Sequence, residues 1–343
     1  MTAGMRRLAS GLGIVLAGLL MLLAGVWGAL AMTFAGPGGY LGQGLAGAVA
    51  ILTLVAIAGL ATRQRRGRSI ALFTLLFAAL LLWWSGIKPA NDRDWQSDVA
   101  VLPAAEIDGS RITVRNIRNF DYRSETDYTP AYYDRQFDLD KLSGVDLVAV
   151  YWMGPAIAHV FLSFAFADGE HLAISIETRK ERNEDYSTIK GFFRQYELFY
   201  VVADERDVIR LRTNYRRAPP EDVYVYRVGG SLDSGRRLFL EYMQRINALN
   251  AQPEFYNTLT TNCTTNIWSN THVNDSRLPF SWKILASGYV PQYLHEQGRL
   301  ANNQLPFAEI QQQALVNAKA RAADQAPDFS RRIRANTTPK ANP

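Results

Sequence analysis

The chain has 343 residues, a formal net charge of +5, one cysteine and four histidines. A lone cysteine excludes an intrachain disulfide framework and a Cys-based metal cluster. The histidines lack ligand spacing of the His-Glu-x-x-His kind, so no metal or organic cofactor is implied. Much of the positive excess sits at Arg63, Arg65, Arg66 and Arg68 and at Arg331, Arg332 and Arg334, which gives no continuous basic face and no expectation of nucleic-acid binding.

Residues 1–87 read as a membrane anchor of three helices, over about 8–34, 41–61 and 69–87. The first run is uncharged and dense in Leu, Ala, Gly and Val, long enough to cross a hydrocarbon layer of about 30 Å. A cleaved signal peptide would carry an apolar region of only about 7–15 residues. The second run follows the turn Gly36-Pro37-Gly38-Gly39, and the third ends in Trp83-Trp84, a pair suited to the membrane interface. Arg6, Arg7 and the Arg63–Arg68 loop place the N-terminus and second connection in the cytoplasm by the positive-inside rule. Everything after about Lys88 then lies outside, which in a Gram-negative bacterium puts the spans in the inner membrane and the rest in the periplasm. The spans carry no ionisable residue and therefore read as an anchor, not an ion path.

Residues 88–103 have the polarity of a linker, 104–325 form an outer domain, and 326–343 read as a disordered polar tail. Residues 110–117 alternate polar and β-branched side chains, and 145–152 form a buried strand that Met153-Gly154-Pro155 breaks. Residues 159–166 and 171–177 are strands on either side of Ala167-Asp168-Gly169, so they pair as a hairpin. With a three-residue loop, His159 falls opposite Glu177, an imidazole beside a carboxylate. Further strands are expected at 198–203, 208–213 and 223–228, a helix at 238–249, and helical segments beyond Lys283 that include 307–322. The domain is thus α+β, with an antiparallel sheet packed on helices.

Cys263 follows Thr260-Thr261-Asn262, a run that reads as the cap of a short helix. A helix N-terminus favours thiolate over thiol, and its free N–H groups can receive an oxyanion. A lone cysteine is also commonly a small buried hydrophobe. A thiol nucleophile needs a base and a group that orients the base. His159 opens an apolar strand after a Gly-Pro break, at the rim of a sheet. His171 lies near a turn, His272 about two and a half helical turns beyond Cys263, and His295 in the C-terminal region. The expected site is Cys263 as nucleophile and His159 as base, with Glu177, Ser175 or a backbone group orienting the ring. Asn262 or the backbone N–H of Cys263 would stabilise the oxyanion. The active atoms meet in space, so a histidine strand preceding a cysteine helix suits a circularly permuted papain-like site. Arg179, Arg206 and Arg212 are candidates for binding an anionic headgroup, although Arg at strand ends commonly makes surface pairs instead.

Several separated runs carry a resemblance: residues 116–122, the strand 159–164, Ser175-Ile176-Glu177-Thr178-Arg179, Glu205-Arg206-Asp207, and residues 256–264 around Asn262-Cys263. Together, over roughly 95–278, they resemble the Lnb N-terminal periplasmic domain family. Proteins that give the family its name are implicated in N-acylation of bacterial lipoproteins. The resemblance therefore implies thiol-mediated acyl transfer at the outer side of the inner membrane, with a membrane lipid or lipoprotein as partner. The Asn262-Cys263 step and the His-before-Cys order are also similar, locally, to permuted papain-like acyltransferases of the lecithin:retinol acyltransferase type. The expected function is a membrane-anchored thiol acyltransferase or acyl hydrolase working through a Cys263 thioester. A cysteine peptidase or amidase acting on the cell wall would use the same residues. A noncatalytic envelope assembly module would leave Cys263 remote from His159. The acyl donor, the acceptor and the oligomeric state stay open.

Overall fold

Apolar composition over uninterrupted helical length produces the first part of the structure, a computed structural model that describes residues 3–335. Helices α1 (Ala3–Ala35), α2 (Gly39–Gly59) and α3 (Arg66–Gly86) contain three segments long and apolar enough to cross a membrane. Their outward side chains are bare, with Leu12, Leu75 and Leu82 about 70% exposed or more, as expected where lipid replaces water. Small residues let the helices approach: a Cβ on Gly25 would lie 2.3 Å from Thr53 Cγ2. The Thr53 hydroxyl donates to Val49 O at 2.8 Å, so no polar group is left unpaired at that crossing. The chain forms two compact units, and Ser187–Gln195 belongs to the same unit as the apolar helices.

The second unit is built on a mixed sheet. Its strands are β1 (Ala104–Asp108), β2 (Arg111–Arg118), β3 (Asp121–Tyr122), β4 (Tyr128–Thr129), β5 (Tyr132–Asp138), β6 (Leu142–Tyr151), β7 (His159–Phe166), β8 (His171–Arg179), β9 (Glu197–Ala203) and, after helix α4 (Glu205–Arg210), β10 (Asp222–Arg227). The main sheet runs β1-β2-β9-β8-β7-β6-β10 with β5 beside β2, and β3 and β4 pair separately. Pairing is antiparallel except at β2–β9. Helices α5 (Leu232–Ala251), α6 (Cys263–Asn270), α7 (Trp282–Leu285), α8 (Val290–Glu296), α9 (Phe307–Ala314), α10 (Asn317–Ala322) and α11 (Phe329–Arg334) complete the α+β unit.

Alternation along the central strands divides the core between the two faces of the sheet. Leu147, Val160, Leu162 and Ile174 pack with Phe239, Tyr242 and Met243 of α5 on one face. Val148, Phe161, Ala173 and Val201 pack on the other face with Val208 and Ile209 of α4 and with Val316, Ala320, Phe329 and Ile333. Gly169, at φ +88°, ends the three-residue β7–β8 turn, and Phe166 N donates to Glu170 O at 2.9 Å. That turn sets the register Leu162↔Ile174 through Ala165↔His171.

Four expectations from the sequence change. Residues 208–213 are not a strand: Asp204 caps α4 by accepting from Arg206 N at 2.9 Å, and α4 continues as a π-helix over Leu211–Tyr215. Such a short apolar run suits either element, and here the cap decides. The helical segment 307–322 is two helices, because Leu315 bridges Tyr224 and Val316 N donates to Val223 O at 2.9 Å. The linker is held down: Trp95 pairs with Glu181, and Trp95 and Val99 are buried. The tail expected to be disordered from 326 instead forms α11, where Phe329 and Ile333 are buried four residues apart and Arg334 reaches Asp146 at 2.7 Å and Glu205 at 2.5 Å. Residues 336–343 of that tail lie outside the described residues.

A second ionic knot is Asp207, which is fully buried and accepts from Arg118 Nη2 at 2.7 Å, Phe120 N at 2.8 Å and Tyr122 Oη at 3.1 Å. Asp207→Ala leaves the Arg118 guanidinium buried without its carboxylate. We expect a loss of about 3–5 kcal/mol, measured by urea unfolding of the full chain in detergent.

Candidate active site

The geometry around Cys263 begins with the cap of α6. Asn262 Oδ1 accepts from Thr265 N at 2.9 Å, and Thr265 Oγ1 accepts from Asn262 N at 2.9 Å, a reciprocal capping box. Asn266 N opens the helical ladder on Asn262 O at 3.1 Å. The amides of Cys263 and Thr264 therefore have no carbonyl ahead of them in the helix. The Asn262 amide nitrogen donates to Thr258 O at 2.8 Å. Of the two oxyanion donors expected from sequence, the Asn262 side chain is thus occupied as a cap, and the Cys263 N–H is the one left.

The other half comes from the sheet. Registered β7–β8 pairing stops at Leu162↔Ile174, so the first residues of β7 pair with β6 alone, His159 opposite Val150. At this fork the His159 ring and the Val160 backbone lie beside the Cys263 thiol, and both favour its thiolate. His159 Nε2 lies 2.7 Å from Ser175 Oγ and 3.1 Å from Glu177 Oε1. Ser175 Oγ donates to Glu177 Oε1 at 2.7 Å, so its lone pair accepts from Nε2–H. This assigns the proton of the neutral imidazole to Nε2 and leaves Nδ1 to receive the thiol proton. Side-chain exposures of 12% for His159 and 27% for Glu177, beside a half-buried Cys263, leave the site reachable.

Behind Glu177 the charges alternate. Arg212 Nη2 donates to Glu177 Oε1 at 3.1 Å and Nη1 to Glu221 Oε2 at 3.4 Å, and Arg216 Nη1 donates to Glu221 Oε1 at 3.1 Å. Burial opposes ionisation of Glu177, but the charge and hydrogen bond of His159 and the charge of Arg212 hold its carboxyl well below the usual carboxylate range. Burial is the largest influence on His159 and lowers it, yet the Glu177 charge together with hydrogen bonding to Cys263 and Glu177 lifts the imidazole to about 9 against burial and Arg212. Burial raises the Cys263 thiol, yet the His159 hydrogen bond and charge, aided by Val160, bring it below its ordinary 9.0. A lowered thiol and a raised imidazole give a pH window, bounded above near 9, in which the pair stands as thiolate and imidazolium.

The structure brings together Cys263, His159, Ser175, Glu177 and Arg212. It separates the other candidates. Arg179 is 1% exposed, donates to Val99 O, Ala100 O and Asn91 Oδ1 at 2.9, 3.0 and 2.9 Å, and stacks over Trp95, so it clamps the linker and offers nothing to an anion. Arg206 sits in the first turn of α4, and no hydrogen bond or ion pair joins it to the Cys263 group. Arg212 faces Glu177 and Glu221, occupied by protein carboxylates. His171 bonds Gly169 O, His272 bonds Trp268 O and Ser269 O, and His295 bonds Leu305 O, so none of these histidines serves the thiol. The Val160 amide and Glu221 were absent from the sequence reading: a backbone donor has no signature in side-chain pattern, and Glu221 follows a Pro-Pro break with no periodicity to mark it. Among the described residues, no group of three or more His, Cys, Asp or Glu side chains is placed to hold a metal ion.

The class of protein follows from these features: a multi-pass membrane protein whose outer α+β domain presents a cysteine–histidine–carboxylate cluster. The family model of the Lnb N-terminal periplasmic domain matches residues 128–288, which include Cys263, His159, Ser175, Glu177 and Arg212. No curated protein and no solved structure matches the chain.

The ion pair has a measurable signature. Alkylation of Cys263 by iodoacetamide should reach half its plateau at a pH below 9.0. In His159→Ala burial of the thiol is no longer opposed by the imidazole, and the midpoint should move upward, as read by intact mass after timed quenching.

Proposed function

We propose that this domain is a thiol acyl-transfer or acyl-hydrolysing enzyme, anchored in the bacterial inner membrane, that takes acyl groups from lipid or lipoprotein substrates through a thioester on Cys263. One observation carries the reading: a cysteine at a capped helix N-terminus is held toward its thiolate by a histidine whose Nε2 is engaged by Ser175 and Glu177. The distribution of arginine around the spans supports a cytoplasmic N-terminus and a site on the periplasmic side. The histidine strand precedes the cysteine helix, the order of a circularly permuted papain-like enzyme.

In the proposed reaction, Nδ1 of His159 holds the thiol proton and the Cys263 thiolate adds to the carbonyl of an acyl ester. The carbonyl oxygen becomes an oxyanion facing the Cys263 amide, a donor fixed before the charge develops. Collapse breaks the carbon–oxygen bond, and the departing alkoxide takes the proton from His159. Water or an acceptor amine then gives its proton to the same ring and attacks the thioester, which returns the thiolate. Glu177 and Ser175 keep the imidazole oriented, and Arg212 keeps Glu177 ionised. Tethering to the bilayer raises the effective concentration of lipid substrates at the site.

Full-length protein mixed with an acyl ester should gain the mass of the acyl group on Cys263 in a form that hydroxylamine releases. Cys263→Ser and His159→Ala should each lower this acylation by about 10²-fold or more, with folding and membrane insertion retained. Turnover of muropeptides in place of acyl esters would assign the same residues to a peptidase or amidase. A thiol inert to every acyl donor in the folded protein would leave an assembly module.

A further inference from the structure

A cavity of about 420 Å³ lies against the sheet face that carries α5 and α6, within the size range of small-molecule sites. Cys263 and His159 are not themselves in its wall, but the residue that follows each of them is. Val160, the residue after His159, lines the cavity, and so does Thr264, the residue after Cys263. Ile267, also in the wall, stands four residues beyond Cys263 on the same side of α6. The cavity then follows the β6–β7 pair away from the cysteine: Leu162 with its partner Leu147, then Val145, Gly144 and Leu142. Leu142 pairs with Phe166, six residues along β7 from Val160, so the floor extends roughly 20 Å at strand rise. The far rim reaches the surface at Leu232 and Arg277.

The chemistry of the wall is that of hydrocarbon. Leu238 of α5 and Leu294 of α8 close the side opposite the strands. Several of its polar groups are engaged by the protein: Thr264 Oγ1 donates to Ile284 O at 2.6 Å, Thr271 Oγ1 to Trp268 O at 2.6 Å and Asn274 Nδ2 to Ser234 O at 3.1 Å. No acidic residue lines it, and of its arginines Arg227 is paired with Asp146 at 2.8 Å while Arg299 donates to Ser276 O at 2.8 Å. A glycan or peptide would leave its hydrogen-bonding groups unsatisfied here, whereas an alkyl chain loses nothing.

We propose that this cavity is the binding site for a single unbranched acyl chain, with the carbonyl end at Cys263 and the methyl end running along β6–β7, and that its length selects among acyl chains. The assignment rests on the acyl-thioester reading of Cys263 for its orientation, though the cavity's affinity for hydrocarbon does not. Ile267, next to the thiol, and Leu147, at mid-length, are then specificity-determining residues.

Two measurements on the full chain in nanodiscs separate this inference from the reaction it rests on. In the first, the rate of Cys263 acylation is compared between acetyl and octanoyl 4-nitrophenyl esters by intact mass. The octanoyl rate should exceed the acetyl rate by about tenfold or more, and Ile267→Trp should lower the octanoyl-to-acetyl ratio by about tenfold. In the second, the Cys263→Ala protein is irradiated with a diazirine-bearing fatty acid and the adducts are mapped by peptide mass. They should fall within residues 142–147 and 264–294. This readout does not depend on the Trp variant folding. Equal acylation by both esters with adducts confined to the membrane helices overturns the cavity and leaves the thiol chemistry standing. Adducts in the cavity with no acylation by any ester keep the cavity and overturn the chemistry.

Discussion

Everything at the thiol depends on the early end of the β7–β8 ladder. A fully zipped hairpin would engage the start of β7 with β8, whereas the fork leaves that end of β7 beside Cys263, where His159 and the Val160 backbone favour the thiolate. The His159 ring hangs from the same edge and reaches the thiol on one side and the Ser175–Glu177 pair on the other. The cluster therefore straddles the sheet. Helix α6 packs on the face of Val160 and Leu162, while Glu177 and Arg212 sit on the face of Phe161 and Ala173.

Burying that much charge is tolerable only because its sign alternates. From Cys263 through His159, Glu177, Arg212 and Glu221 to Arg216, each group that ionises finds its opposite next to it. A buried ion pair gains little over well-packed hydrocarbon, so stability alone gives no reason for such a chain. Its effect is chemical: it keeps an acid ionised beside a base that would otherwise lose its proton to burial. Perturbed groups of this kind gather at functional sites.

Local signals made part of this legible in the sequence. The register that brings His159 within 3.1 Å of Glu177 follows from the three-residue turn ending in Gly169, and the start of α6 follows from the Asn262 cap. The three apolar runs and the α+β character of the remainder were equally plain. Roles decided by distant partners were not. Arg179 looked like a strand-end cation, yet Val99, Ala100 and Asn91, about eighty to ninety positions earlier, convert it into a clamp. Residues 208–213 satisfy the β-strand pattern, and only the Asp204 cap together with packing on the sheet turns them helical. Phe329 and Ile333 are too sparse to announce a helix, and their burial depends on a surface built from Val316 and the sheet.

The clasp at α11 bears on the order in which this protein matures. Asp146 and Glu205 are buried acids in the middle of the domain, and Arg334, 188 and 129 residues later, neutralises both. Before that arginine is delivered, Asp146 has Arg227 at 2.8 Å, whereas Glu205 has the Ser163 hydroxyl at 2.6 Å and no other ion pair among the described residues. The last charge on this face of the sheet is therefore closed by the most distal helix described, while α1, α2 and α3 pack through a separate cluster that takes nothing from α11.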